Sequence, residues 1–227
     1  MSNFVIPAPK QPSVPVLGGD RFPVRRIYCV GRNYAAHARE MGADTREPPF
    51  FFMKPADALV LDGADTPYPS ATENLHHEVE LVVAIGKGGI NIDTAAALDH
   101  VYGYAVGIDL TRRDMQDAAK AARRPWDLSK GFDASAPVGT ILPTAQSGHP
   151  TSAAITLTID GAPRQNGDLA DQIWTVPEII AELSRLVALA PGDLIMTGTP
   201  EGVGPAVRSN VLVGEIAGVG TVHTRIV

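Results

Sequence analysis

An α+β fold with a strand-rich core and few helices is what this sequence predicts, and three observations lead there. Short runs rich in Val, Ile, Leu and aromatic residues recur along the 227-residue chain, at 26–30, 50–53, 79–85, 101–108, 155–159 and 194–196. Gly and Pro, at 22 and 19 residues, punctuate those runs and keep them short. Helix signals are confined to three segments: 35–41 behind Asn33, 115–120 behind Thr111, and 177–183 led by Pro177.

Taken in order, Pro7, Pro9, Pro12 and Pro15 exclude helix and favour extended backbone, so residues 1–24 are expected to form an arm ahead of a single domain at 25–227. Arg26–Val30 reads as a strand closed by Gly31, after which Asn33 is placed to cap a helix that stops at Gly42. On that helix His37 and Glu40 are neighbours. A carboxylate so placed can orient an imidazole for proton transfer, and an incidental surface pair would look the same. Pro48–Pro55 brackets an apolar run read as a short buried strand, with Lys54 expected to escape into solvent. Gly86-Lys87-Gly88-Gly89 lacks the lysine-serine/threonine end of a phosphate loop and is expected to be a hairpin turn.

The most informative stretch is His77–Ile85. In a strand, Glu78 and Glu80 project from one face while Val79 and Leu81 project from the other. An edge strand could carry such a pair into water. Here the run continues as Leu81-Val82-Val83-Ala84-Ile85, apolar on both faces, which puts the acids at the mouth of a covered strand. Two carboxylates that close raise each other's pKa unless a cation lies between them, and a hard divalent ion suits oxygen ligands. Asp109 ends the strand 101–108 and is available as a third oxygen ligand if Thr111 and Asp114 form the capping box of the next helix. Mg²⁺, or Mn²⁺, is therefore the expected cofactor, and no Cys cluster competes for Zn²⁺.

A net charge of -6 disfavours nucleic acid and anionic membrane as partners and points to a small-molecule substrate. The single Cys29 cannot form an internal disulfide. No segment approaches the roughly 20 apolar residues of a membrane span, and the N-terminus has no basic start followed by an apolar run; a cytoplasmic location is expected.

Several motifs in fixed order resemble the fumarylacetoacetate hydrolase family. They are Gly31-Arg32-Asn33-Tyr34 with His37 and Glu40, Glu78-Val79-Glu80, Asp109 with Arg113-Asp114-Met115-Gln116, Trp126 to Asp133, and Thr197-Gly198-Thr199-Pro200-Glu201-Gly202-Val203-Gly204. The segment 21–37 is most similar to bacterial fumarylpyruvate hydrolases of gentisate breakdown, a branch of aromatic catabolism. The resemblance implies a mixed β-roll or β-sandwich core with short helices, and Glu78, Glu80 and Asp109 as metal ligands. It also implies His37, Glu40 and Lys130 as catalytic groups, a substrate pocket lined by Arg32, Arg113, Gln116, Gly198 and Thr199, and a homodimer. Read without it, Arg113 and Gln116 also suit a solvated helix face, Lys130 an exposed loop, and 197–204 a turn-rich loop. The implied reaction is metal-dependent hydrolysis of a C–C bond in a 2,4-dioxo acid, with fumarylpyruvate giving fumarate and pyruvate. Oxaloacetate decarboxylation, another lyase or isomerase reaction on the same scaffold, and a non-catalytic binding module with a structural metal are the alternatives.

Overall fold

The apolar run after Glu80 works on both faces, and the fold is arranged around it. In the computed structural model, which describes residues 4–34 and 47–227, every residue of the strand Val79–Ile85 is buried. It lies in the middle of an eight-stranded mixed sheet. The strand order is Phe50–Lys54, Arg26–Gly31, Asp193–Met196, Val79–Ile85, Val101–Ile108, Ala136–Val138 and Leu59–Leu61, with Leu142–Pro143 also pairing to Val101–Ile108. Val79, Leu81, Val83 and Ile85 join one core with Ile155, Leu157, Leu212 and Val222 of a second, five-stranded sheet and with Ile179, Ile180 and Leu183 of the helix Val176–Leu186. Val82 and Ala84 join a second core with Cys29, Ala105, Met196, Val14 and Phe22. Each fully buried Leu, Ile or Val contributes about 1.5–3 kcal/mol of transfer free energy, which holds the sheet in a single register. The result is an α+β fold, mostly strands with few short helices.

Several local expectations hold. The run expected at 155–159 lies in the strand Ala154–Ile159, which pairs with Ala162–Asp168 across Asp160-Gly161. The helix Val176–Leu186 begins with Pro177 in its first turn and with Glu178 accepting from the Thr175 N–H at 2.9 Å. Apart from these, within the segment expected to form an arm, Ser13–Pro15 and Arg21–Pro23 form a two-stranded ladder that packs Val14 and Phe22 into the second core.

Others do not. Gly86–Gly89 is not a hairpin turn: it opens a longer connection containing the 3₁₀ helix Thr94–His100, and Gly89 bonds across to Leu189. Phe50–Lys54 is an edge strand rather than a buried one, with Phe50 and Met53 exposed, because among the described residues only Arg26–Gly31 pairs with it. The helix behind Asp109 spans Arg113–Ala121 and has no side-chain cap from Thr111. Asp114 instead accepts from Thr72 Oγ1, the Glu73 N–H and the Met115 N–H, tying the helix start to a distant loop. The helix expected over 35–41 lies outside the described residues. Among the described residues no helix is long and apolar enough to cross a membrane.

Candidate active site and metal centre

Strand register brings the three acids together. Val101–Ile108 runs antiparallel to Val79–Ile85 with Val79 opposite Ile108 and Glu80 opposite Gly107, and the Asp109 N–H donates to Glu78 O at 2.8 Å. Asp109 is therefore directly across the ladder from Glu78, and period-two alternation puts Glu80 on the same face. One carboxylate oxygen from each lies within 4.8 Å of the others, and all three side chains are buried. The capping-box premise for a free Asp109 fails, yet the strand pairing alone delivers the residue to the cluster.

Cations surround these acids. Lys130, at the end of the short helix Asp127–Lys130, donates from Nζ to Glu78 Oε2 and Asp109 Oδ2, both at 2.7 Å. Arg113 donates to Glu78 Oε1 from one terminal nitrogen, to Gln116 Oε1 from the other, and from Nε to His76 Nδ1 at 3.2 Å. Both Arg113 and Gln116 are buried, so the solvated-helix alternative is excluded. Lys54 corrects the expectation of escape into solvent. It is 1% exposed, lies 2.9 Å from Asp109 Oδ1, and donates to Leu110 O at 3.0 Å and to Lys130 O. Nothing in an apolar pentapeptide closed by Lys-Pro distinguishes a lysine that leaves the core from one that turns into it.

Three carboxylates buried together do not share the site comfortably. Burial, then the charges of Asp109 and Glu78, hold the Glu80 carboxyl well above its usual pKa. Burial pulls the Lys130 ammonium down, but Asp109 and Glu78 outweigh it and leave that pKa raised. His76 goes the other way: burial and the Arg113 guanidinium press it to about 4, so it stays neutral and accepts from Arg113.

A divalent cation fits this donor set. All three ligands are hard oxygens within reach of one ion. Asp109 Oδ1 forms an ion pair with Lys54 at 2.9 Å but among the described residues accepts no properly aligned hydrogen bond, so a buried anionic oxygen faces the cluster with a lone pair still to be used. Glu80 Oε2 is oriented by the Gly198 N–H at 2.7 Å. Gly198 has φ +97°, and a Cβ there would come within 2.7 Å of Asn33 Cβ, so only glycine lets that amide approach Glu80. Its single N–H therefore serves a carboxylate of this protein.

Above the acids, Val30, Arg32, Phe52, Trp126, Gln116 and Thr199 complete the pocket wall. Trp126 meets Phe50 edge to face, with ring centres 4.9 Å apart, which makes the outer wall aromatic. Arg32 is exposed at the rim with φ 60°. Asn33 is fully buried and clamps the pocket's back: its carboxamide donates to Trp174 O and Thr197 O and accepts from the Trp174 N–H. Glu78, Glu80, Asp109, Lys130, Arg113, Gln116, Gly198, Thr199 and Arg32 thus all converge on one site, whereas His37 and Glu40 lie outside the described residues. Sequence reasoning missed Lys54, the clamp at Asn33, and Gln165, whose inward turn depends on a β-bulge with no signature in the strand itself.

With this geometry in view, the similarities to known proteins are informative. The fumarylpyruvate hydrolase from Pseudomonas aeruginosa, solved in complex with Mn²⁺ and pyruvate, is 53% identical with a TM-score of 0.96, covering 99% of each chain. The oxaloacetate tautomerase FAHD1 of Arabidopsis thaliana mitochondria is 40% identical over 198 residues, covering 87% of this chain and 89% of its own length. The mitochondrial oxaloacetate decarboxylase of Dictyostelium discoideum is likewise 40% identical over 198 residues, covering 87% and 91%. Residues 26–227 match the family described as fumarylacetoacetate (FAA) hydrolase, C-terminal, and the chain belongs to the fumarylacetoacetate hydrolase family.

Proposed function

We propose that this protein is a divalent-metal-dependent hydrolase of 2,4-dioxo acids that cleaves fumarylpyruvate with water to give fumarate and pyruvate, as in gentisate breakdown. The observation that carries the reading is the buried Glu78–Glu80–Asp109 cluster at the floor of a pocket walled by Lys130, Gln116, Thr199 and Trp126. A relative more than half identical to this chain has Mn²⁺ and pyruvate bound.

Mg²⁺ or Mn²⁺ held by Glu78, Glu80 and Asp109 would supply Lewis-acid polarisation of the substrate's carboxylate and 2-oxo oxygens. His37, with Glu40 as the partner that the family resemblance implies, takes a proton from water as the oxygen adds to the distal acyl carbonyl carbon. Lys130, which already sits among anionic oxygens, stabilises the negative charge on the carbonyl oxygen during that addition. The bond between the acyl carbon and the pyruvate methylene carbon then breaks. Its electron pair enters the 2-oxo group as an enolate, which takes up a proton to become pyruvate while the acyl half leaves as fumarate. Thr199 receives the 2-oxo acid's carboxylate. Arg32, exposed at the pocket rim, faces the fumaryl carboxylate, while Arg113 is held lower by Glu78, Gln116 and His76.

The test is loss of the fumarylpyruvate acyl-enol absorbance on adding Mg²⁺-loaded protein, with equal release of fumarate and pyruvate. EDTA treatment and His37→Ala should each stop it. A second reading, oxaloacetate tautomerisation or decarboxylation, is favoured by the relatives named for those activities and needs the same 2-oxo acid site without water addition. No loss of fumarylpyruvate, with turnover of oxaloacetate that survives His37→Ala, would replace the first reading by the second.

A further inference from the structure

Beneath Thr199 lies a side chain that no motif singled out. Gln165 is 1% exposed, and each position of its carboxamide is used. Oε1 accepts from the Val79 N–H at 3.0 Å and bonds His77 Nδ1 at 3.1 Å; Nε2 donates to Thr199 Oγ1 at 2.8 Å and to Pro200 O at 2.9 Å. Two of these partners remove any ambiguity about which end of the amide is which. A backbone N–H can only donate and a backbone C=O can only accept, so Oε1 must face Val79 and Nε2 must face Pro200.

The remaining protons follow by elimination. The second N–H of Nε2 points at Thr199 Oγ1, so that hydroxyl is an acceptor toward Gln165 and keeps its own proton for a partner on the pocket side. His77 Nδ1 must carry the hydrogen it shares with Oε1, because an amide oxygen can only accept. The backbone makes this possible. Pairing shifts register between Leu157 and Thr158, leaving Arg164 without a partner and turning Gln165 inward opposite Leu157. Gly202, with φ +88°, lets the loop after Thr199 lie on Arg164, where a Cβ would come within 2.2 Å of Arg164 O.

We propose that Gln165 is a positioning residue that fixes the Thr199 hydroxyl, proton outward, at a set distance from the carboxylate cluster. It does so because the same amide holds Val79, the residue between Glu78 and Glu80. The proposal rests on reading Thr199 as the group that meets the ligand's carboxylate, and it does not depend on which 2-oxo acid is turned over.

The experiment is calorimetric titration of pyruvate into Mn²⁺-loaded protein, for wild type, Gln165→Met, Gln165→Glu, Thr199→Val and the Gln165→Met/Thr199→Val double variant. Each single change should weaken pyruvate binding about 10- to 100-fold, the effect of leaving one buried polar group unpaired. The double variant should be no weaker than the worse single one, and Mn²⁺ affinity should change less than about threefold. Gln165→Glu keeps the size of the side chain but presents an oxygen to Thr199, so it carries the test if Gln165→Met does not fold. Wild-type pyruvate affinity in a folded Gln165 variant, additive losses in the double variant, or a parallel loss of Mn²⁺ affinity would each overturn the proposal. Unaltered pyruvate binding by Thr199→Val would overturn it together with the Thr199 assignment. Absence of fumarylpyruvate turnover with the binding pattern intact would count against the hydrolase reading alone.

Discussion

Two buried polar clusters meet at Val79 and are held together in opposite ways. On one side three buried carboxylates face the cations Lys54, Lys130 and Arg113, and Glu80 is left with a pKa raised by burial, Asp109 and Glu78. On the other, the uncharged Gln165 carboxamide matches its donors and acceptors to Val79, His77, Thr199 and Pro200. The charged cluster can gain a divalent cation and so changes state with pH and metal, whereas the Gln165 amide does not titrate and can act as a fixed frame.

The sharpest way to break that contrast is to remove an acid. Glu80→Ala should lower Mn²⁺ affinity and turnover by more than the roughly 100-fold seen when outer-shell partners of a metal site are lost. The metal-free protein should be no less stable. A wild-type rise in Tm on adding Mn²⁺ to this variant would show that the cluster is not the metal centre.

Removing a cation should come next in size. Lys54→Met takes away a buried partner of Asp109 and should cost about 3–5 kcal/mol in urea unfolding of the metal-free protein. The loss should shrink when Mn²⁺ restores positive charge. An equal loss with and without Mn²⁺ would mean that Lys54 works through the carbonyls of Leu110 and Lys130 instead.

Asn33→Ala offers a neutral counterpart, since it leaves Trp174 and Thr197 backbone groups without their buried partner. A cost of about 1–3 kcal/mol is expected, the same at pH 6 and pH 8 and the same with or without Mn²⁺. Dependence on either would erase the distinction between charged and neutral supports.

The smallest effect is the pH dependence of metal stabilisation. Glu80 in the folded, metal-free protein holds its proton to higher pH than it does unfolded. Its contribution to metal-free stability is therefore full below the unfolded pKa and is lost as pH rises through the folded one. Coordination needs the ionised form, so Mn²⁺ should raise Tm by a few degrees more at pH 8 than at pH 5.5. Glu80→Gln should flatten that difference; a larger Mn²⁺ effect at low pH would contradict the assignment.

Local pattern was enough for much of this. Period-two alternation announced the strand Val79–Ile85, its two covered faces and the shared direction of Glu78 and Glu80, because side-chain direction in a strand depends only on the neighbouring residue. Asp109 was legible from its position at a strand end, although the supporting capping argument failed when Asp114 bonded Thr72 and Glu73 across the fold. Ordered motifs were enough to suggest the family. Lys54 was misread because an edge strand's inward face is set by what packs on it, and the lysine meets Asp109 and Lys130 only after distant strands assemble. Gln165 was invisible because a one-residue bulge reverses which side chains point inward, and that bulge is set by pairing with Leu157. The sequence by itself determined the strands and the acids they carry; tertiary register decided which cations neutralise them and which amide holds the loop above, because those contacts join residues far apart in the chain.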